Sequence, residues 1–192
     1  MSVMTSVIPH GRPFTVDDLE GMPDDGNRYE LIDGMLLVSP APSWEHQEVG
    51  LSLFAQLRAL CPPDLRALAA PFAVQTASDS EVQPDVIVAR YVDFRSRNLP
   101  VAPLLAVEVL SHSTRLKDRN LKKAHYERIG VASYWILDPV EPGALTAFEL
   151  DGDGRYEQVA HVVGDEEFVT ARPFPVTVVP ARLLDGLRPR EA

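Results

Sequence analysis

The sequence lacks the features that would assign the chain to several special classes of protein. It contains one cysteine, Cys61, among 192 residues, so no disulfide can form within the chain, and no cluster of cysteine and histidine has zinc-site spacing. No apolar run approaches the roughly 20 residues that a membrane-spanning helix needs. The first residues also lack the basic and then apolar pattern of a secretory signal peptide. We therefore expect a protein of the reducing cytoplasm that has no membrane segment.

The chain is also short of positive charge. Its 18 lysines and arginines face 28 aspartates and glutamates, which gives a formal net charge of -10 at pH 7. A large general affinity for nucleic acid normally needs a surplus of lysine and arginine on the binding face. The segment 115–128 is an exception, because it holds six basic residues and only two acidic ones. We therefore expect one basic face on an otherwise acidic protein.

The length and the apolar content of the chain indicate one globular domain. With 192 residues, 45% of them hydrophobic, the chain can form one sizeable core, whereas two separate cores would each be small. Residues 1–13 show no hydrophobic periodicity, so we expect a lead-in without regular structure there. The domain is expected to cover residues 14–187, followed by a short tail at 188–192.

Turn residues and hydrophobic periodicity predict the elements of the first half of the chain. Thr15 can cap a short helix, and the apolar runs on either side of Asp33-Gly34 predict a hairpin. The segment 43–60 has valine and leucine at positions 49, 53, 57 and 60, which is helical spacing, and Pro62 ends that helix. Strands are predicted for FAVQT and PDVIVA, separated by a polar loop.

The second half of the chain begins with the strand LLAVEVL. A helix capped by Ser113 or Thr114 follows and ends before Gly130, and the next strand is ASYWILD. This strand–helix–strand passage should be a right-handed crossover with two parallel strands. A hairpin with its turn at 151–154, the edge strands EEFVT and FPVTV, and a helical turn complete the chain. The order predicts an α/β (α+β) fold with a mixed β-sheet flanked by helices and extra hairpins near both ends.

One carboxylate interrupts the most apolar strand. In LLAVEVL, Ala106, Glu108 and Leu110 point to one face of the strand, and both faces are otherwise apolar. An isolated ionised carboxylate would be costly there, so Glu108 should be protonated, paired with a cation or bound to a metal. Glu108 therefore needs a partner.

Two residues are candidates for that partner. Asp85 begins the strand PDVIVA, and Lys122 lies on the helix that follows the glutamate. Asp118, Lys122 and Tyr126 recur every four residues, so they share a helix face that returns over the sheet. Lys123 points about 100° away from Lys122 and is expected to face solvent. The sequence leaves open which of the two lysines turns inward.

Two carboxylates and an ammonium near strand ends are typical of a metal-dependent hydrolytic site. Carboxylate oxygens suit a hard cation such as Mg²⁺, with Mn²⁺ as its substitute, and leave other positions to water and a substrate phosphate. Such a metal lowers the pKa of a bound water, while an ammonium orients that water or stabilises the developing charge. Hydrolysis of a phosphodiester fits this set of groups.

The order of these residues resembles a nuclease superfamily. Pro84-Asp85, then Glu108 on the next strand and then a lysine is similar to the PD-(D/E)XK pattern of restriction-endonuclease-like proteins. The segments RYELIDG, QPDVIV, VEVLSHSTR and GVASYWILDP, with the D-x₃-K-x₃-Y spacing of the helix, resemble more narrowly the Uma-two family of restriction-endonuclease-like proteins. The resemblance runs from about residue 14 to residue 138, and less distinctly to residue 187.

The resemblance implies a restriction-endonuclease-like fold, hydrolysis of DNA, and a homodimer whose two sites address two strands. Asp85 and Glu108 match the metal-binding acids of the family. Lys122 matches a lysine that has moved from the strand to the helix, and Glu30 matches an acid in the first hairpin. Leu110 stands where the wider superfamily usually has its lysine.

Several of these residues have structural alternatives. Glu108 and Lys122 can form an ion pair that only fixes the helix on the sheet, and Glu30 can form a salt bridge with Arg28 or Arg115. Arg115 is also a candidate contact to a substrate phosphate at the start of the helix.

His46, on the first long helix, is close enough in the predicted fold to reach the site. A histidine in such a position is more often on the surface or partly buried with a satisfied partner.

The sequence therefore predicts a Mg²⁺-dependent endonuclease that hydrolyses DNA by activated water, with Asp85, Glu108, Lys122 and Glu30 in the catalytic site. The alternative is a catalytically inactive nuclease-fold protein that binds nucleic acid or a protein partner. The acidic overall charge and the absence of a recognisable sequence-reading element favour that alternative.

Overall fold

The helices and strands follow the hydrophobic pattern of the sequence in most places. A computed structural model describes residues 11–111 and 115–187. The helices are α1 (Val16–Leu19), α2 (Trp44–Leu60), α3 (Lys123–Ile129), which continues a π-helical turn at Lys117–Lys122, and α4 (Pro180–Leu183). The strands are β1 (Asn27–Ile32), β2 (Met35–Pro40), β3 (Leu65–Ala69), β4 (Ala73–Ala77), β5 (Ser80–Val82), β6 (Val86–Arg90), β7 (Asn98–Leu99), β8 (Leu105–Val109), β9 (Ser133–Asp138), β10 (Ala144–Leu150), β11 (Tyr156–Val163), β12 (Phe168–Thr170) and β13 (Val176–Val178).

The strands form two larger sheets and one small one. The central sheet has the order β11-β10-β9-β8-β6-β3, and β8 and β9 are its parallel pair. The second sheet has the order β2-β1-β5-β4-β7, and β12 pairs with β13. The predicted mixed sheet flanked by helices is confirmed, and so is the parallel pairing of the two strands around the crossover helix. None of the helices in the described ranges is long and apolar enough to cross a bilayer.

The predicted hairpin near the N-terminus is confirmed. Asp33 and Gly34 have φ angles of 52° and 73°, the left-handed values that a two-residue hairpin turn requires and that aspartate and glycine tolerate. The turn sets β1 against β2 with Glu30 opposite Leu37. This register fixes which face of the second sheet carries the Glu30 side chain.

The core lies on both faces of the central sheet, as the alternation of β8 indicates. Val107 and Val109 pack in the cluster that includes Leu53 of α2. Ala106 and Leu110 pack in the cluster that includes Tyr126 of α3. Because α2 and α3 lie on opposite faces, Glu108 points to the face that α3 covers, together with Ala106 and Leu110.

The structure contains strands that the sequence pattern did not indicate. β3, with the sequence LRALA, has no β-branched residue, and it is ordered by antiparallel pairing with β6. β5 begins at Ser80, inside the segment predicted as a polar loop, and β7 is a two-residue strand paired with β4. Long-range pairing, which local propensity does not encode, decides these short elements.

EEFVT and FPVTV, predicted as edge strands, form β12 and β13, which pair with each other in the two-stranded sheet. Two other predictions about the fold were wrong in detail. Leu60 lies in the last turn of α2 and is 52% exposed, so the apolar stripe of that helix ends at Leu57. Lys123 does not extend into solvent, because its Nζ lies 4.1 Å from the centre of the Phe148 ring.

A buried histidine on α3 predicts a loss of stability in acid. His125 is 2% exposed, and the Nη2 of Arg128 donates to its Nδ1 at 3.0 Å. Burial, and then the charge of Arg128, lower the pKa of His125 to about 4. An unfolded histidine has a pKa near 6.5, so the unfolded chain binds a proton more readily between these values. Stability should therefore fall as the pH falls from about 6.5 to about 4.

Replacing this side chain should reduce that dependence on pH. The free energy of unfolding of the wild-type protein should fall between pH 7 and pH 4. In His125→Met this fall should be smaller by about 2–3 kcal/mol. Urea unfolding at a series of pH values measures the difference. His161→Gln, on the exposed face of β11, should keep the wild-type slope. Equal slopes for His125→Met and the wild-type protein would show that His125 does not couple protonation to folding.

Candidate active site

The predicted acids and the lysine lie at one cleft. The cleft has a volume of about 540 Å³ and is lined by β1, the start of α2, the end of β8 and the helical segment before α3. Its lining includes Glu30, Asp85, Glu108 and Lys122, all of which were identified in the sequence, together with Asp118. Residues separated by almost 100 positions in the chain therefore face one space.

Lys122 lies at the centre of the buried acids. Its Nζ is 3.0 Å from Oε1 of Glu30, 3.0 Å from Oε1 of Glu108 and 3.9 Å from Oδ1 of Asp118. Lys122 is therefore the lysine that turns inward. The salt-bridge partner of Glu30 is this lysine, and neither Arg28 nor Arg115 takes that place. Glu30 also accepts a hydrogen bond from the backbone N of Gln83 at 2.8 Å, which joins β1 to the chain just before Asp85.

Glu108 has two donors on the same oxygen. Lys122 Nζ donates to Oε1 at 3.0 Å, and the hydroxyl of Tyr126 donates to the same atom at 2.7 Å. The partner that a buried carboxylate requires is thus supplied by the helix face predicted from the four-residue spacing. Because both bonds end on Oε1, Oε2 is left for another ligand.

The helical segment that carries Lys122 is not a regular α-helix. Lys117–Lys122 form a π-helical turn, which continues directly into α3. The hydroxyl of Tyr134, on β9, donates to the backbone O of Asp118 at 2.9 Å within this turn. A single π turn inside a helix is frequent at functional sites, because it redirects side chains that a regular helix would carry past the site. Here Asp118 and Lys122 are both buried in the cleft floor.

Asp85 is held against the end of β8 by three groups. Its Oδ2 accepts a hydrogen bond from the backbone N of Val109 at 2.8 Å, and Nε2 of His46 lies 3.2 Å from the same atom. Its Oδ1 lies 3.3 Å from Nη1 of Arg28. The bond to Val109 places Asp85 beside the residue that follows Glu108. The two candidate metal ligands are therefore neighbours in space, Asp85 directly before β6 and Glu108 on the adjacent strand β8.

His46 and Asp118 belong to the site, although the sequence analysis did not assign them to it. His46 lies three residues before Val49 and therefore on the apolar face of α2, which is a signal that it turns toward the protein. Asp118 shares the helix face of Lys122 and Tyr126, which carries the same signal. Arg28, weighed only as a salt-bridge partner, contacts Asp85.

The charges of the cluster set the protonation of its members. Burial raises the pKa of Glu108 well above its usual value, Lys122 opposes this effect, and the neighbouring carboxylates add to it. Burial alone would lower the pKa of Lys122, but the surrounding carboxylates, Glu108 first, outweigh it and raise the pKa. Burial raises and His46 lowers the pKa of Asp85, with a net decrease. We conclude that Lys122 is charged, that Asp85 is ionised, and that Glu108 holds a proton more readily than an exposed glutamate.

The donors suit a divalent cation in type. Four buried carboxylates, those of Glu30, Asp85, Glu108 and Asp118, line one cleft together with Lys122 and Arg28. Oxygen donors of this kind are what Mg²⁺ and Mn²⁺ prefer. Within residues 11–111 and 115–187, no three Asp, Glu, His or Cys side chains already form a ligand set. Lys122 lies between Glu30 and Glu108. Arg28 and His46 both contact the carboxylate of Asp85.

Arg115 lies at the rim of the cleft with its guanidinium already paired. Its two terminal nitrogens donate to the carboxylate of Asp138 at 2.7 and 3.1 Å. The side chain is 37% exposed, so part of it is accessible from solvent. Ser113 and Thr114, predicted as helix caps, lie outside the described residues.

Comparisons with known proteins agree with this fold. A family model named Uma2, described as "Putative restriction endonuclease", matches residues 16–182. A solved structure described as "a putative nuclease belonging to DUF820 from Anabaena variabilis ATCC 29413" superposes with a TM-score of 0.65 at 17% sequence identity. The alignment covers 91% of this chain and 98% of that one. At this identity the likeness concerns the fold. The comparison with curated proteins found no match.

Proposed function

The chain belongs to the Uma2 family, whose model covers residues 16–182, and on this premise we propose that the protein is a metal-dependent endonuclease that hydrolyses phosphodiester bonds in DNA. The observation that supports the proposal is the group of four buried carboxylates at one open cleft, three of them within 4.0 Å of Lys122 and the fourth, Asp85, beside Arg28 and His46. A divalent cation bound there would offset the cost of burying these carboxylates close together.

Asp85 and Glu108 are the residues that would hold the metal, Mg²⁺ or Mn²⁺ in its place. When bound, such an ion supplies a water of lowered pKa and neutralises charge on the phosphoryl oxygens. Oε2 of Glu108 is the oxygen that its protein donors leave for a cation. Tyr126 holds the other oxygen and so fixes the orientation of the carboxylate.

Lys122 is the cation that acts on the attacking water or on the developing phosphoryl charge. Its ammonium is held by Glu30 and Glu108, each at 3.0 Å, and a third donor proton remains for a water or a phosphoryl oxygen. The buried environment strengthens such a hydrogen bond, because little water screens it. Glu30 is the third acid of the site, and its carboxylate fixes the position of the Lys122 ammonium.

The substrate, the assembly and the cellular location are also proposals. A DNA backbone can approach the rim of the cleft at Arg115, in the basic segment 115–128, where the arginine side chain is partly exposed. A homodimer would allow two sites to act on two strands, and sedimentation equilibrium measures the mass that decides it. We propose the cytoplasm as the site of action and 14–187 as a single domain.

Nicking of supercoiled plasmid tests the proposed activity. The wild-type protein should nick the plasmid with Mg²⁺ or Mn²⁺ and not with EDTA. Asp85→Asn should reduce nicking by about 100-fold or more, because it removes a negative metal ligand. The matched control is Asp64→Asn, at an exposed position after α2, which should retain wild-type nicking.

Two outcomes would contradict the proposal. If neither metal supports nicking, or if Asp85→Asn nicks as fast as the wild-type protein, the site is not the proposed metal site. A salt-sensitive affinity for DNA that is equal in both proteins, without nicking, would identify the inactive DNA-binding alternative.

A further inference from the structure

A second, larger cavity adjoins the cleft. It has a volume of about 1000 Å³ and lies beside β1, α2, β4 and β5. Arg28, His46 and Asp85 line both cavities, so the side chains that hold one candidate metal ligand form the boundary between them. A ligand with its phosphate beside these three side chains would lie next to both cavities.

The chemistry of the larger cavity differs from that of the cleft. Its own charged residues, outside the shared boundary, are Glu20, Asp24, Glu81 and Arg97. Their net charge is negative, which opposes a second phosphate group. Glu81 is half-buried and forms no salt bridge within the described ranges, and burial raises the pKa of its carboxyl group. A neutral group that offers hydrogen-bond donors is the complement of such a wall.

Amide side chains line the same cavity. Asn27, Gln47, Gln75, Gln83 and Asn98 contribute to its wall. Nδ2 of Asn98 donates to Oε1 of Gln75, which orients both amides and still leaves each of them a donor and an acceptor. Paired donors and acceptors of this kind match the edge of a nucleobase. Leu19, Met22, Leu51 and Pro71 add apolar surface for the faces of a ring.

We propose that the larger cavity binds an unpaired nucleobase next to the scissile phosphate, and that the substrate is therefore DNA with an unpaired or flipped-out nucleotide. The inference rests on the proposed nuclease function and adds the class of substrate. The volume lies at the upper end of the roughly 300–1,000 Å³ range of ligand pockets. A base that is paired and stacked within a duplex cannot enter such a pocket until it leaves the stack.

Three DNA substrates of one sequence test the proposal. They are a fully paired duplex, the same duplex with one extra unpaired nucleotide, and that duplex with an abasic residue in place of the unpaired nucleotide. With Mn²⁺ the wild-type protein should cut next to the unpaired base at least about tenfold faster than it cuts the other two, because only this substrate offers a free base to the cavity wall.

Variants of the cavity wall connect this preference to the structure. Gln75→Ala and Glu81→Gln should each lose most of the preference for the base over the abasic residue. Gln158→Ala, an exposed amide on β11, should keep the preference unchanged. Equal cutting of the paired, unpaired and abasic substrates by the wild-type protein would overturn the proposal. The proposal would also be overturned if Gln75→Ala and Glu81→Gln slowed the cutting of the base-containing substrate and of the abasic substrate by the same factor.

Binding measurements separate this inference from the proposed function. If the wild-type protein cuts none of the substrates with either metal, the proposed nuclease function fails. Fluorescence anisotropy of the labelled duplexes in the presence of Ca²⁺ still measures their affinity for the protein, and so tests whether the cavity binds a base. Tighter binding of the unpaired base than of the abasic residue, lost in Gln75→Ala, would support the pocket, and equal affinities would rule it out.

Discussion

Replacing Glu108 with glutamine is expected to abolish turnover and to leave the fold as stable as before or more stable. Activity should fall by about 10³-fold or more, because the variant loses a charged metal ligand at the reacting centre. Glutamine has the same shape and can still accept hydrogen bonds from Lys122 and Tyr126 through its Oε1. Lys122 keeps Glu30 at 3.0 Å as its negative partner, so no buried charge is left uncompensated.

The sign of the stability change follows from the pKa of the glutamate. Burial raises this pKa above its unfolded value, so the folded state binds the proton more tightly than the unfolded state does. Its stabilising contribution is present in acid and is lost as the pH rises through the folded pKa. The advantage of Glu108→Gln over the wild-type protein should therefore grow from acid to neutral and alkaline pH.

Thermal unfolding at several pH values, together with plasmid nicking, measures both expectations. Glu149→Gln removes a carboxylate that pairs with Arg172 on the surface, and this control should keep the wild-type activity. A marked decrease in the melting temperature of Glu108→Gln at neutral pH would show instead that Glu108 serves as half of a structural ion pair.

Replacing Lys122 with methionine is expected to cost both the activity and a large part of the stability. The ammonium lies within 4.0 Å of carboxylate oxygens of Glu30, Glu108 and Asp118, all of which are buried. Removing one partner of a buried ion pair typically costs about 3–5 kcal/mol, because the remaining charge is left in a poorly solvated place. Methionine fills a similar volume and is a good helix former, so lost packing contributes little.

Lys123 provides a matched control one position away. Lys123→Met removes an ammonium that lies over the ring of Phe148, and such a contact contributes about 1 kcal/mol. Urea unfolding at pH 7 should therefore show a much larger loss for Lys122→Met than for Lys123→Met. Combining Lys122→Met with Glu108→Gln should recover part of the loss, since one of the uncompensated carboxylates is gone. Equal losses for the two lysine variants would contradict the central position of Lys122.

The pairing of Glu108 with Lys122 could be predicted because several constraints in the sequence agree. A carboxylate in a strand that is apolar on both faces needs a partner, and a crossover helix returns over that strand. The four-residue spacing of Asp118, Lys122 and Tyr126 then selects the helix face. Each constraint is local or depends on a connection with few alternatives, so together they favour Lys122, and the structure decides between Lys122 and Lys123.

The surroundings of Asp85 could not be predicted in the same way. His46 and Arg28 reach it from α2 and β1, and their positions depend on how the second sheet lies against the central one. That arrangement is fixed by pairings between distant strands, such as that of Leu31 with Glu81, which hydrophobic periodicity does not specify. The π-helical turn before α3 has no signal in the sequence either, since it needs no special residue type.

A crystal structure of the protein soaked with Mn²⁺ tests the central claim most directly, because the anomalous signal locates the ion independently of its ligands. The account predicts an ion bound by carboxylate oxygens of Asp85 and Glu108 at roughly 2.0–2.6 Å, with the ammonium of Lys122 beside it. A site without an ion, in which Lys122 still joins Glu30 to Glu108 and Asp85 stays bonded to His46 and Arg28, would contradict it.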